Sequence, residues 1–403
     1  MAALSTTARE VDVPETFAGY RRPDGTIGVR NHLVIVPATA AANTVARRVA
    51  ALIPGAIAIP LLDDGTESPA ARALTEQVLA GAAASPNVGA AVVVGLSVET
   101  GEAARVAGLA QKLAPGKLVE AFSIDEAGGS VKAISRGVQL GQKLMATLAT
   151  QPRVQAHVSE LILAVECGGS DATSGIASNP TVGVVSDMLV DRGGTVILSE
   201  TTELMGAEHI LARRARDERV ARRIFEIVAN VEKAANAVGA TVAGGNPTPG
   251  NMAGGLTTIE EKSLGCIYKG GSRTIQDVLD FAERPRGKGL FIMDTPGHDA
   301  VSVSAKAAAG AHLCIFTTGR GSPLGNAIYP VIKVCANPST VARMQDNIDF
   351  SAAAIIEGTA TKEELGPQLY RLMIEVCNGQ LTTAEIIGHQ EFAIHRIGEA
   401  FAA

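Results

Sequence analysis

Four short apolar runs punctuate the first part of the chain: Leu33–Val36, Ala56–Pro60, Ala90–Val94 and Lys117–Phe122. None alternates apolar with polar residues, which is the pattern of strands buried on both faces of a parallel sheet. Between them lie Asn43–Leu52, Pro69–Ala84, Gly101–Leu113 and Ser130–Leu148. These are rich in Ala, Leu, Lys, Arg and Glu, with apolar spacing near the helical period, and predict helices. Such alternation predicts a doubly wound, Rossmann-like α/β domain over 17–150, preceded by a flexible arm at 1–16. Its site should lie beyond the strand C-termini, in the loops at 38–42, 61–68, 95–101 and 123–130.

The polar stretch Thr150–Val158 marks a domain boundary. A larger C-terminal α/β domain, 158–403, opens with a strand at Leu161–Val165. A helix at Pro180–Arg192, a strand at Thr195–Leu198 and one long charged helix from Ala207 to Val238 follow. The segment GGNPTPGNMAGG (244–255) is too dense in Gly and Pro for either helix or strand. Further strands are predicted at Gly289–Met293, His312–Phe316 and Tyr329–Val334, the last weakened by Pro330. Helices are predicted at Ile259–Leu264, Ser302–Ala309, Pro338–Gln345 and Lys362–Val376.

Composition narrows the class. Of 403 residues 46% are hydrophobic and 19% charged, which excludes a disordered chain. The balance of 35 Lys+Arg against 41 Asp+Glu, with no basic block and 3% aromatics, argues against a nucleic-acid partner. Cys167, Cys266, Cys314, Cys335 and Cys377 are odd in number, far apart and form no CxxC, so a reducing compartment is expected. With no signal peptide at the N-terminus and no long uncharged apolar run, the expectation is a cytoplasmic protein without a membrane partner.

Polar chemistry gathers after predicted strands. Gly168, Gly169, Ser170, Asp171 and Ser174 lie in ECGGSDATSG, where glycines admit a close ligand and a helix start offers N–H groups to an anion. Ordinary turn capping would also place these residues there. Ser199-Glu200-Thr201-Thr202-Glu203, with Glu208 and His209 further on, could bind a hard cation or act as acid and base. Glu203 and Glu208 alone read as helix N-terminal acids, so Glu200 and His209 are favoured. Arg320, between two glycines, suits carboxylate recognition. Asn246, Asn251, Lys262 and Lys269 accompany the Gly/Pro segment, which is long enough to line or cover a site. Cys314, Cys335 and Cys377 read as small buried hydrophobes, and His312 as a core histidine. No GxGxxG follows the first strand, and no P-loop, HExxH or GxSxG motif occurs.

From about Gly19 onward the chain resembles the large catalytic unit of the altronate/galactarate dehydratase family. The resemblance rests on GYRRPDGTIGVRN (19–31), ECGGSDATSGIASNP (166–180), ILSETTELMGAEH (197–209), GNPTPGNMAGGLTTIEEKSLG (245–265), MDTPG (293–297) and FTTGRGSPLGN (316–326). It implies a lyase that removes water from a sugar acid or related hydroxy acid, giving a 2-keto-3-deoxy acid. It also implies a divalent metal, iron or manganese, for which Cys167, Asp171 and Glu200 are candidate ligands. Asn179 falls within the same matched loop and joins the candidate substrate-binding set.

In altronate and galactarate dehydratases a small module precedes this unit. The chain here begins at the large part, so a separately encoded small, SAF-like subunit is expected, within a homo-oligomeric assembly. The GCG- and GCE-type cysteine motifs of altronate dehydratases are replaced by Leu61–Glu67 and Gly95–Glu99. Oxygen ligands from Asp63, Asp64 or Glu99 could substitute for them. The large subunit of sulfolactate sulfo-lyase, which also lacks those cysteines, is an alternative branch that would release sulfite. NAIYPVIKVCANPSTVARM (326–344) resembles that branch. A non-catalytic sugar-acid-binding homologue is the further alternative.

Overall fold

The computed structural model describes residues 12–62 and 68–395. Strands β1 (Thr16–Arg21) and β2 (Ile27–Gly28) lead into β3 (His32–Pro37), β4 (Ala56–Ala58), β5 (Val88–Gly95) and β6 (Leu118–Ser123). The last four form a parallel sheet in the order β4-β3-β5-β6. Leu33 and Ile35 face the helices Asn43–Ala51 and Ser130–Ala149, while Val34 and Val36 face Pro69–Ala83 and Glu102–Leu113. Both faces of β3 are thus covered, which is why its sequence is continuously apolar. All four predicted strands and all four predicted helices of this region are present.

After β7 (Val154–His157) come β8 (Ile162–Cys167), β9 (Thr195–Leu198), β10 (Ile275–Leu279) and β11 (Gly289–Met293). The chain then adds β12 (Leu313–Thr318), β13 (Val331–Cys335) and β14 (Phe350–Ser351). These seven make a second parallel sheet ordered β10-β11-β9-β8-β12-β13-β14. The chain winds outward from β8 through β9, then returns to place β12 on the other side of β8. The loops after β8 and β12 therefore part company, and the crevice between them is the expected ligand position in such a sheet.

Three local expectations are corrected. The long charged helix is two helices, Glu208–Ala212 and Glu218–Ala237. The second starts where the Asp217 side chain accepts from Val220 N–H at 2.9 Å, so a polar cap resets the backbone. The Gly/Pro segment is not free of helix: Val242–Gly245 and Pro249–Ala253 are short helices capped by Thr241 and Thr248. Pro330 does not push β13 to an edge, because it precedes the strand and its carbonyl accepts from Cys314 N–H at 2.9 Å. Strand β10 has no counterpart among the apolar runs, its sequence IQDVL being only partly buried.

The boundary stretch is not a loose tether. β7 within it pairs antiparallel with β1, and Phe17 of β1 lies in the core of the second sheet. Arg30 reaches Glu385 at 2.7 Å and the Val376 carbonyl at 2.8 Å. The helix Pro69–Ala83 packs directly on Asp299–Ala308, with a Cβ on Gly81 placed 2.5 Å from the Ala308 carbonyl oxygen. One apolar cluster runs through both sheets, from Val36 and Val93 to Phe291 and Phe316. Among the described residues no helix is long and apolar enough to cross a membrane.

Candidate active site

The C-terminal ends of β8 and β9 deliver Cys167 and Glu200 into one buried cluster. Cys167 ends β8, and its N–H donates to Glu200 at 3.2 Å. Glu200 sits just past β9 with φ of 69°, one of two non-glycine residues with positive φ among the described residues. That conformation costs free energy for a residue with a Cβ, and the surroundings enforce it. Its N–H donates to Thr295 Oγ1 at 3.0 Å, and its carboxylate meets Lys269 at 2.7 Å.

The third contributor is the helix Ile259–Cys266, capped by Thr258, with its continuing turn Ile267–Gly270. Lys262, Cys266 and Lys269 recur every three or four residues and so share one face. Lys262 pairs with Glu203 at 2.6 Å and with Asn246 Oδ1 at 2.7 Å. Both thiols approach Glu203, Cys167 at 3.0 Å and Cys266 at 3.1 Å, and the sulfurs are 3.5 Å apart. Lys269 stands among them, 2.6 Å from Cys266 and 3.3 Å from Cys167.

Burial makes these charges matter. Lys269 and Glu200 are fully shielded from water, and Glu203 is nearly so. Burial opposes the charge on Lys269, but the surrounding thiols and carboxylates hold its pKa well above the ordinary lysine value. Burial and the neighbouring Glu166 push Glu200 well above the carboxylate range. Burial also acts against Glu203, yet Lys262 and Lys269 hold it below its ordinary value. Two carboxylates with pKa values driven apart are the arrangement that separates a proton holder from a base. Behind them Lys306 pairs with Glu166, and Ser199 and Ser302 complete that buried network.

A cavity of about 240 Å³ opens beside the cluster. Ser170, Asn179, Glu203, Lys262 and Cys266 line it, and Cys167 lies at its base. Ser170 Oγ is buried there without a partner, so it is free to meet a ligand. Asn251 donates to the Ser170 carbonyl at 2.8 Å, which ties the Gly/Pro segment onto the loop. Asn179 is held by Gly265 and Thr317. Gly168 is required, because a Cβ would overlap the Asp299 carboxylate and the Phe316 ring. Gly169 turns the loop at φ of 60°.

Several expected residues stand differently. His209 is exposed and lines no cavity near the cluster, because its helix faces outward from β9. Asp171 is not with the metal-type donors. It is taken by Thr173, Ser174 and Asn337, so it shapes the loop. Arg320 lies exposed and does not line the cavity; its guanidinium is against Gly250, with no side-chain partner among the described residues. Glu99 is exposed, and Asp63 and Asp64 lie outside the described residues. Glu203 and Cys266 were passed over in the sequence. The signal that could have found Cys266 is its spacing from Lys262 and Lys269, which puts the three on one face if the predicted helix Ile259–Leu264 runs on.

The four ligand atoms of Cys167, Glu200, Glu203 and Cys266 lie within 4.8 Å of one another and could hold a metal ion. Two sulfurs and two oxygens suit a borderline transition ion such as iron better than a hard one. The charges agree. With Cys167 and Cys266 as thiolates and both carboxylates ionised, four negative charges face Lys262 and Lys269, and the net double negative charge matches a divalent ion. The residues therefore fit the group, with Lys269 as its competitor for the same donors.

Comparison with known proteins adds a lineage. Residues 158–400 match the family described as D-galactarate/Altronate dehydratase, C-terminal, and residues 19–149 match D-galactarate dehydratase/Altronate hydrolase, second domain. The (2R)-sulfolactate sulfo-lyase subunit beta of Chromohalobacter salexigens is 37% identical, over 96% of this chain and 98% of its own. Altronate dehydratase of Bacillus subtilis is 35% identical, over 95% of this chain and 78% of its own. Galactarate dehydratase (L-threo-forming) of Escherichia coli is 39% identical over 61% of this chain and 47% of its own.

Proposed function

The chain belongs to the galactarate/altronate dehydratase family of carbon–oxygen lyases, and from that premise we propose that it removes water from a polyhydroxy acid by β-elimination. The observation that carries the reading is the cavity whose wall is the Glu203–Lys262 pair. The substrate carboxylate docks on Lys262, with Arg320 closing from the side. That contact draws Lys262 away from Glu203 and raises the basicity of the freed carboxylate. Glu203 then takes the proton next to the substrate carboxylate. Lys262 stabilises the resulting enediolate, Ser170 orients the β-hydroxyl, and that hydroxyl leaves as water with the proton that Glu203 has taken, the remaining enol tautomerising to the 2-keto acid. Glu200 and Lys269, sealed beneath, hold the charge pattern in place and do not line the cavity. His209 has no part in this scheme.

Cys167, Glu200, Glu203 and Cys266 would hold a divalent ion, which when bound supplies further positive charge for the enediolate and the departing hydroxyl. A partner subunit is part of the proposal. One relative is named as a subunit, and Ile176, Leu264 and Tyr268 are large, exposed and apolar on the cavity wall.

A second reading, sulfite release, is supported by the full-length match to a sulfo-lyase subunit. A substrate panel scored for 2-keto-3-deoxy acid against sulfite decides between them. In the active assembly Glu203→Gln should lower kcat by about 10²–10⁴ with the fold intact. Near-normal turnover in that variant removes Glu203 as the base.

A further inference from the structure

The first sheet has its own crevice, which the proposed reaction does not use. Its chain enters at β3, goes to β4 on one side and crosses to β5 on the other, so the loops after β3 and β5 diverge. A cavity of about 520 Å³ occupies the divergence, more than twice the volume at Glu203. The two cavities share no lining residue.

The polar groups of this cavity are unequally engaged. Arg105 is held by Glu76 at 2.6 Å. Glu102 is buried and accepts from Leu96 N–H at 2.7 Å and from the Thr100 hydroxyl. Two groups remain. Arg72, exposed on the first turn of the helix Pro69–Ala83, has no side-chain partner among the described residues. Thr39 Oγ1 is shielded from water and has no hydrogen-bond partner among the described residues. A shielded hydroxyl without a partner costs free energy that a ligand would recover. Arginine adds the paired donors that carboxylates and phosphates accept, and the positive end of its helix has the same sign. The remaining wall is small and apolar, from Ala38, Ala41, Ala73 and Leu96.

We propose that this crevice is a second small-molecule site, taking a compound whose phosphate or carboxylate group is held by Arg72 and Thr39 and whose apolar part lies on the alanine wall. It is separate from the elimination chemistry. Its occupant is an effector or a second reactant rather than the molecule over Glu203.

The test is an amide NMR titration of the full chain with inorganic phosphate and, separately, with gluconate, against sodium chloride at matched ionic strength. Saturable perturbation of the Ala38, Thr39, Ala73 and Leu96 amides is expected, and Arg72→Ala should weaken it roughly tenfold or more. Thr39→Val should weaken it further while Thr39→Ser retains it, and Glu203→Gln should leave it unchanged. A response to phosphate alone, or to gluconate alone, assigns the anionic group. No saturable response to either probe overturns the proposal. So does an undiminished response in Arg72→Ala, or perturbation confined to residues 168–175.

Discussion

Two cavities open beyond the strand C-termini of the two parallel sheets, one where the first sheet changes winding direction and one on the β9 side of β8, and they are built from opposite materials. Beyond β8 and β9 the charges are buried: Lys269 with Glu200, Lys306 with Glu166, Lys262 with Glu203. Beyond β3 and β5 the Arg105 side chain is 46% exposed in its pair with Glu76, and Arg72 is exposed with no side-chain partner among the described residues. What separates them is desolvation: in the second sheet each charge depends on its partner, whereas in the first, water reaches Arg105 and Arg72 directly.

That contrast can be broken most sharply at Lys269. Lys269→Met leaves Glu200 and the thiols without their cation, and a stability loss of about 3–5 kcal/mol is expected from urea unfolding. A loss under about 1 kcal/mol would put the buried cluster on the same footing as a surface pair.

The seam between the two regions gives an intermediate effect, readable by pH. His312 is buried, accepts from Ile162 N–H at 2.9 Å through Nδ1, and meets the Ile27 carbonyl at 2.7 Å through Nε2. The backbone after it is tied to Asn87 at 2.8 Å. Burial holds its pKa down at about 4, from an ordinary 6.5. Because the unfolded chain takes up the proton first, this contribution is complete above pH 6.5 and is lost as pH falls toward 4. The full loss is about 3 kcal/mol. Comparing unfolding of the parent and His312→Gln across that window isolates it, and equal slopes would refute it.

The smallest effect belongs to the open crevice. Arg105→Met removes an ion pair that is open to water on its arginine side, so stability should change by no more than about 1 kcal/mol. A larger change would mean that the Arg105–Glu76 pair supports the helices as the buried pairs support the cluster.

Much of the scaffold was legible before any coordinates. Runs such as LVIV and AVVV can be continuously apolar only if both faces are covered, and they are. The loop ECGGSDATSG follows β8, as its place after an apolar run predicts, and the fold brings Lys262 to Glu203 and Lys269 to Glu200. Other parts were hidden for definite reasons. Strand β10 carries Gln276 and Asp277 and lacks an apolar signature. Glu203 resembled an ordinary first-turn acid, and only the approach of Lys262 from another helix gives it a role. Asp171 looked like a ligand because its type is right, but Asn337, far along the chain, claims its carboxylate.

By itself the sequence determined most of the alternation of strands and helices, the α/β class of both regions, the parallel sheet of the first and the loops on which chemistry sits. Periodicity, glycine placement and capping are local properties, and local physics suffices to read them. Only the tertiary structure decided which polar residues share a cluster, which are sealed from water and which crevice stays open. Those outcomes depend on distances between segments remote in the chain. The energy of a carboxylate beside a lysine is set by how much water the fold leaves between and around them.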